Sequence, residues 1–116
     1  MKILIVLNDA PYGNERSYNG TRLAGALARR PETEVRIFLI GDAVAAVHRS
    51  QTVPEGYYNL EQMLTKVIGH NGILGVCGTC LDARGIGAGE MMDGPRRSTL
   101  DELAAWTVWA DQVLVF

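Results

Sequence analysis

The sequence predicts an α/β fold: a three-layer α/β/α sandwich on a mostly parallel sheet of four or five strands. Three observations point to it. Short apolar runs recur along the chain, each too uniformly apolar to have one face in water. Segments with helical spacing separate them. Turn and capping residues stand at nearly every junction, which favours strand–helix–strand units over hairpins.

Residues 2–8, KILIVLN, form the first such run, rich in β-branched residues. The loop DAPYGN follows and ends at Asn14, a residue suited to cap a helix, with Glu15 favourably placed near the N-terminus. Gly20, Leu23, Ala24 and Leu27 then share one face of a helix running to about Arg30, which Pro31 stops. Residues 34–40, EVRIFLI, make a second strand ending at Gly41-Asp42, and Ala43, Val44 and Val47 line one side of a short helical stretch.

Ser50–Tyr58 is a polar loop broken by Pro54 and Gly56. Asn59 is expected to cap the next helix, with Gln62 as its capping-box partner. Leu60, Met63, Leu64, Val67 and Ile68 give its inner stripe, and Gly69 closes it. ILGVC, 73–77, reads as a third buried strand. A short element between Gly85 and Gly94 is possible on the pattern, without a defined type. The last helix opens at Ser98 or Thr99, where Thr99 and Glu102 fit a capping box. Leu100, Leu103, Ala104, Thr107 and Val108 form its expected inner stripe. Trp106 and Trp109 then share another face, suited to a subunit contact or to covering the sheet within one chain. QVLVF, 112–116, supplies a last strand.

Totals exclude several functions. The chain has 116 residues, enough for one domain spanning 1–116 with a substantial core. It is 47% hydrophobic and 21% charged with a formal net charge of −2, and its Lys and Arg are scattered, which argues against nucleic acid as a partner. No apolar stretch reaches the roughly 20 residues of a membrane helix. Met1-Lys2 leads into ILIVL without a small-residue cleavage site, so a signal peptide is not expected and a reducing cytoplasm is.

Ligands of open parallel sheets gather beyond the carboxyl ends of the strands. That principle selects three places: Asn8 to Asn14, Gly41-Asp42, and VCGTCLDARGIG at 76–87, which holds both cysteines of the chain. If residues 79–84 make a helical turn, Cys77 lies at its N-terminus, where partial positive charge favours a thiolate. Arg84 could add a second positive charge that Asp82 neutralises or holds in place. Gly78 permits a tight turn or a close approach by another group, and Cys80, one turn on, could resolve a persulfide or a disulfide. Both cysteines are also suited to a packing role as small hydrophobes.

Rival chemistries fit less well. In a thioredoxin-like protein the CxxC opens a long helix, whereas Gly85, Gly87 and Gly89 interrupt one here, and none of Pro11, Pro31, Pro54 and Pro95 precedes a recognisable strand. A structural zinc site requires four ligands, and His48 and His70 lack finger-like spacing to the cysteines. GIGAGE, 85–90, lacks the Lys-Ser/Thr ending of a phosphate loop. The residues therefore point to no metal and no cofactor. Cys77, Cys80 and Arg84 are the candidate catalytic residues. Tyr12 and Asn14, after the first strand, join Gly78 and Asp82 as candidate substrate contacts.

PYGNERSYNGTRLA, VPEGYYNLEQML, VCGTCLDARGI and STLDELAAWTVWADQVLVF together resemble the DsrE/DsrF-like family over nearly the whole chain. The resemblance implies a three-layer α/β/α fold and assembly into trimers or hexamers. In sulfur-relay members it also implies a cysteine that accepts sulfane sulfur as a persulfide, a role that falls on Cys77. Sulfur-donor and sulfur-acceptor proteins would be its partners. The second cysteine resembles that of small relatives bearing CGTC pairs, which leaves dithiol redox chemistry open.

Overall fold

A computed structural model describes residues 1–116. Five strands, β1 (Lys2–Leu7), β2 (Glu34–Leu39), β3 (Ile73–Cys77), β4 (Arg96–Ser98) and β5 (Gln112–Val115), form one sheet in the order β4-β3-β2-β1-β5. Every pairing is parallel. Four α-helices, α1 (Arg16–Ala28), α2 (Leu60–Gly69), α3 (Gly78–Ala83) and α4 (Leu100–Trp109), connect them, with 3-10 turns at Gly41–Val47 and Ala88–Glu90.

Register divides the sheet into two faces. Leu7, Ile37, Leu39 and Val76 point toward α1 and α2 and are fully buried. On the α2 side the expected stripe is inside: Leu60, Leu64 and Val67 are buried, and Asn59 Oδ1 accepts the Gln62 amide at 3.0 Å. The α1 side departs from the pattern. Leu23 is exposed, while Ser17 and Thr21 are buried beside Gly20 and Ala24. Local bonding makes that possible, because Ser17 Oγ donates to the Asp9 carbonyl and Thr21 Oγ1 to the Ser17 carbonyl, leaving neither hydroxyl unsatisfied. The helix also opens one residue later than expected. Glu15 occupies the cap position, and Asn14 Oδ1 accepts the Arg16 amide at 3.0 Å from just outside it.

The opposite face is covered by α4, and here the expected stripe is overturned. Trp106, 4% exposed, is the buried residue of this helix, whereas Leu100 and Val108 are 70% and 87% exposed. The cause is in the sheet. Gly75 leaves a hole in the floor of β3, and the indole fills it so closely that a Cβ on Gly75 would lie 3.0 Å from the ring. The Trp106 ring meets Phe38 edge-on at 6.0 Å between centroids. Seating the largest side chain there turns Leu100 and Val108 outward. Trp109 is half-buried beneath the Arg36 guanidinium, 3.8 Å from its ring centre.

β4 has no counterpart in the sequence reading. It is three residues long, two of them arginine, and lacks an apolar run. Pro95 directly precedes it, contrary to the expectation that no proline precedes a strand, and all peptide bonds are trans. No helix is long and apolar enough to cross a membrane.

Candidate functional site

Cys77 is the last residue of β3 and the cap residue of α3, so one side chain ends a strand and begins a helix. It is 8% exposed and lines a cavity of about 390 Å³ at the carboxyl edge of the sheet. Phe38 and Ile40 of the neighbouring strand end, Thr79, Cys80, Arg97 and Leu100 share that cavity. The parallel register sets Ser98 of β4 beside Cys77, which brings the start of α4 to the same rim.

Two polar groups converge on the Cys77 sulfur. The Cys80 amide donates to it at 3.4 Å, and the Thr79 hydroxyl lies 3.3 Å away. Burial pushes the thiol up, but the Cys80 thiol, the Thr79 hydroxyl and the two amides together outweigh it and hold Cys77 below the ordinary thiol range. Cys80 shifts the other way. Burial raises it first, and its hydrogen bond to Cys77 raises it further, against the Gly41 amide that donates to its sulfur at 3.3 Å. Of the two thiols, Cys77 is therefore held the lower and Cys80 the higher. Both are free thiols.

Arg84 does not line this cavity. Its guanidinium donates to Asp42 Oδ1 at 2.8 and 3.1 Å and to the Cys80 carbonyl at 3.1 Å, tying α3 to the turn after β2. Asp82 does not pair with Arg84 either; it accepts both terminal nitrogens of Arg97, at 2.7 and 3.0 Å. Those bonds hold the Asp82 carboxyl below its usual range. Arg97 in turn lies flat against Gly78, where a Cβ would come 2.7 Å from its Nε. The close approach that Gly78 permits is thus made by an arginine that the sequence reading overlooked.

Tyr12 and Asn14 stand elsewhere. The Tyr12 hydroxyl accepts the Leu60 amide at 3.1 Å and donates to Gln51, and its ring stacks on Tyr58 at 5.9 Å, so it anchors the start of α2. Neither residue is among those lining the cysteine cavity. Arg97, Thr79 and Ser98 were missed. Only Gly78 signalled that something packs closely there, and nothing in RRS marked it as a strand. No three His, Cys, Asp or Glu side chains converge in metal-binding geometry.

Comparison with known proteins agrees with this architecture. Protein YchN of Escherichia coli is 47% identical over 116 residues, covering 99% of this chain and 98% of its own. An uncharacterized protein of Methanocaldococcus jannaschii is 32% identical over the full length of both chains. The crystal structure of YchN superposes with a TM-score of 0.93 over 99% of this chain and 98% of its own. A protein of unknown function from Methanobacterium thermoautotrophicum, 9% identical, shares the fold with a TM-score of 0.78 over 99% of this chain and 98% of its own. Residues 1–116 match the profile of the DsrE/DsrF-like family. By that match and by the likeness to YchN, the chain belongs to the DsrE/DsrF-like family.

Proposed function

We propose that this protein is a persulfide carrier in a sulfur relay: Cys77 accepts sulfane sulfur and passes it to a partner's thiol. The observation that carries the reading is Cys77 itself, lining a cavity at the sheet edge with the Cys80 amide and the Thr79 hydroxyl against its sulfur. Family membership supports a protein of the sulfur-relay kind. In the loading step the Cys77 thiolate attacks the outer sulfur of a donor persulfide. The donor S–S bond breaks, the donor leaves as a thiolate, and the new S–S bond holds sulfur on Cys77. Transfer repeats the exchange with the acceptor's thiolate as nucleophile and Cys77 as leaving group, so no net oxidation occurs.

Intact-protein mass after treatment of the reduced protein with a persulfide donor tests this. One added sulfur atom per chain, lost in Cys77→Ser and kept in Cys80→Ser, is the expected result. Loading that survives in Cys77→Ser would overturn it. The hydrogen bonding between the cysteines favours a second reading, a dithiol couple. Its mark in the same experiment is a loss of two hydrogens that either substitution abolishes.

The same reading includes self-association in the cytoplasm, as trimer or hexamer. Leu100, Val108 and Val115 leave an apolar surface across α4 and β5 that a second copy of the chain would cover.

A further inference from the structure

Among the residues lining the Cys77 cavity, Arg97 is the one basic side chain, and the walls around it include Phe38, Ile40 and Leu100. The guanidinium is also held in place before any ligand arrives. Asp82 takes both terminal nitrogens in a fork-to-fork pair, and Gly78 seats the Nε side. The Asp82 carboxylate is on α3 and does not line the cavity, whereas Arg97 does. No acid lines the cavity, and Asp42 is engaged by Arg84 and Glu102 by the Ser98 hydroxyl and Arg96. A cavity of about 390 Å³ lies within the size range of small-molecule sites and far exceeds what hydrosulfide alone would fill.

Resting on the reading of Cys77 as sulfur acceptor, we propose that Arg97 is the anion-recognising residue of this pocket, and that the donor it selects is a small organic persulfide bearing a carboxylate. The carboxylate pairs with the guanidinium while the outer sulfur faces Cys77. The Cys77 thiolate then forms the new S–S bond, the donor's S–S bond breaks, and the donor departs as a thiolate with its carboxylate still on Arg97. Arg97 does not touch the sulfur being transferred; it positions the molecule that brings it.

Two rate ratios test this on the whole protein. Loading of Cys77 is compared between N-acetylcysteine persulfide and the persulfide of its carboxamide. Alkylation of Cys77, read by peptide mapping, is compared between iodoacetate and iodoacetamide. Each ratio is taken relative to that of a small free thiol under the same conditions, because the acid and amide reagents differ intrinsically. On that scale wild type is expected to favour the acid by about fivefold in both, the size of one partly exposed charge interaction. Arg97→Gln should bring both ratios close to one, and Arg97→Lys should recover most of the preference. Arg96→Gln, which removes the same charge one residue away and outside the cavity, should keep it.

Ratios unchanged in Arg97→Gln would overturn the proposal, whatever the loading. An alkylation ratio that collapses in Arg97→Gln while neither persulfide loads the wild type would overturn the sulfur-acceptor reading and the donor with it, and uphold Arg97 as the anion-recognising residue. Because Arg97 is largely exposed, its substitution is not expected to unfold the chain, and a thermal melt of each variant verifies that.

Discussion

The two faces of the sheet are closed in different ways. Under α1 and α2 the burial is shared: Leu60, Leu64 and Val67 from α2 meet Ile37, Leu39 and Val76, all deep in one core. Under α4 one buried indole is set into the hole above Gly75, Leu103 and Trp109 are only partly buried, and Leu100, Val108 and two alanines face solvent. The first face is finished within one chain. The second is pinned rather than closed, and it leaves apolar side chains in solvent. Cys77 belongs to the second face, since it follows Gly75 at the alternate position of β3.

Removing the pin should have the largest effect. Trp106→Ala is expected to cost about 3–5 kcal/mol, since the vacated space lies over a glycine that cannot fill it. Leu64→Ala, on the shared face, should cost about 2–4 kcal/mol. Urea unfolding of both variants checks the order. A Trp106→Ala cost well below that of Leu64→Ala would mean that the α4 face is not held by its indole.

The helix caps repeat the contrast at smaller scale. Asn59 accepts the Gln62 amide and also donates Nδ2 to the Gln51 carbonyl at 2.9 Å, and it is buried. Thr99 accepts the Glu102 amide at 3.1 Å from an exposed position. Asn59→Ala should therefore cost about 2 kcal/mol and Thr99→Ala about 1 kcal/mol, measured as the shift in the same urea curves.

What could be read from the sequence follows the same division. Strands β1, β2 and β3 and the α2 stripe were legible because a parallel sheet covered on both sides demands continuous apolar runs, and a helix on a flat apolar floor shows its periodicity. The α4 stripe was misread because its orientation is set by an absence, the missing side chain of Gly75, which helix periodicity does not encode. β4 escaped because three residues of RRS pair through backbone alone. Cys77, Cys80 and Gly78 were legible as neighbours at the carboxyl edge of the sheet, where they line one cavity. Arg97 was not, since the contact joining it to Gly78 spans two elements, one of which has no sequence signature.

The cysteines let the second face be titrated. Cys77 is depressed in the folded protein, so its thiolate contributes stability that is fully present above the unfolded thiol value and is lost as pH falls through the folded one. Cys80 is raised, so its contribution is present below the unfolded value and is lost as pH rises through the folded one. Iodoacetamide modification followed by peptide mapping should show Cys77 reacting at lower pH than Cys80. Coincident profiles would remove the asymmetry between them.

The smallest expected change in chain stability comes from the most exposed apolar residue. Val108 makes so little contact within one chain that Val108→Lys should alter the unfolding free energy of the isolated chain by less than about 0.5 kcal/mol. If α4 and β5 are covered by another copy, the same substitution sets an ammonium into an apolar contact, and the mass measured by sedimentation should fall toward that of one chain. Leu23→Lys, on the exposed outer side of α1, adds the same charge to the other half of the molecule and should leave the mass unchanged. An equal loss of mass in both variants would mean that charge alone disperses the assembly. Loss in Val108→Lys alone would show that the incompletely covered face of the sheet is the one through which the chains meet.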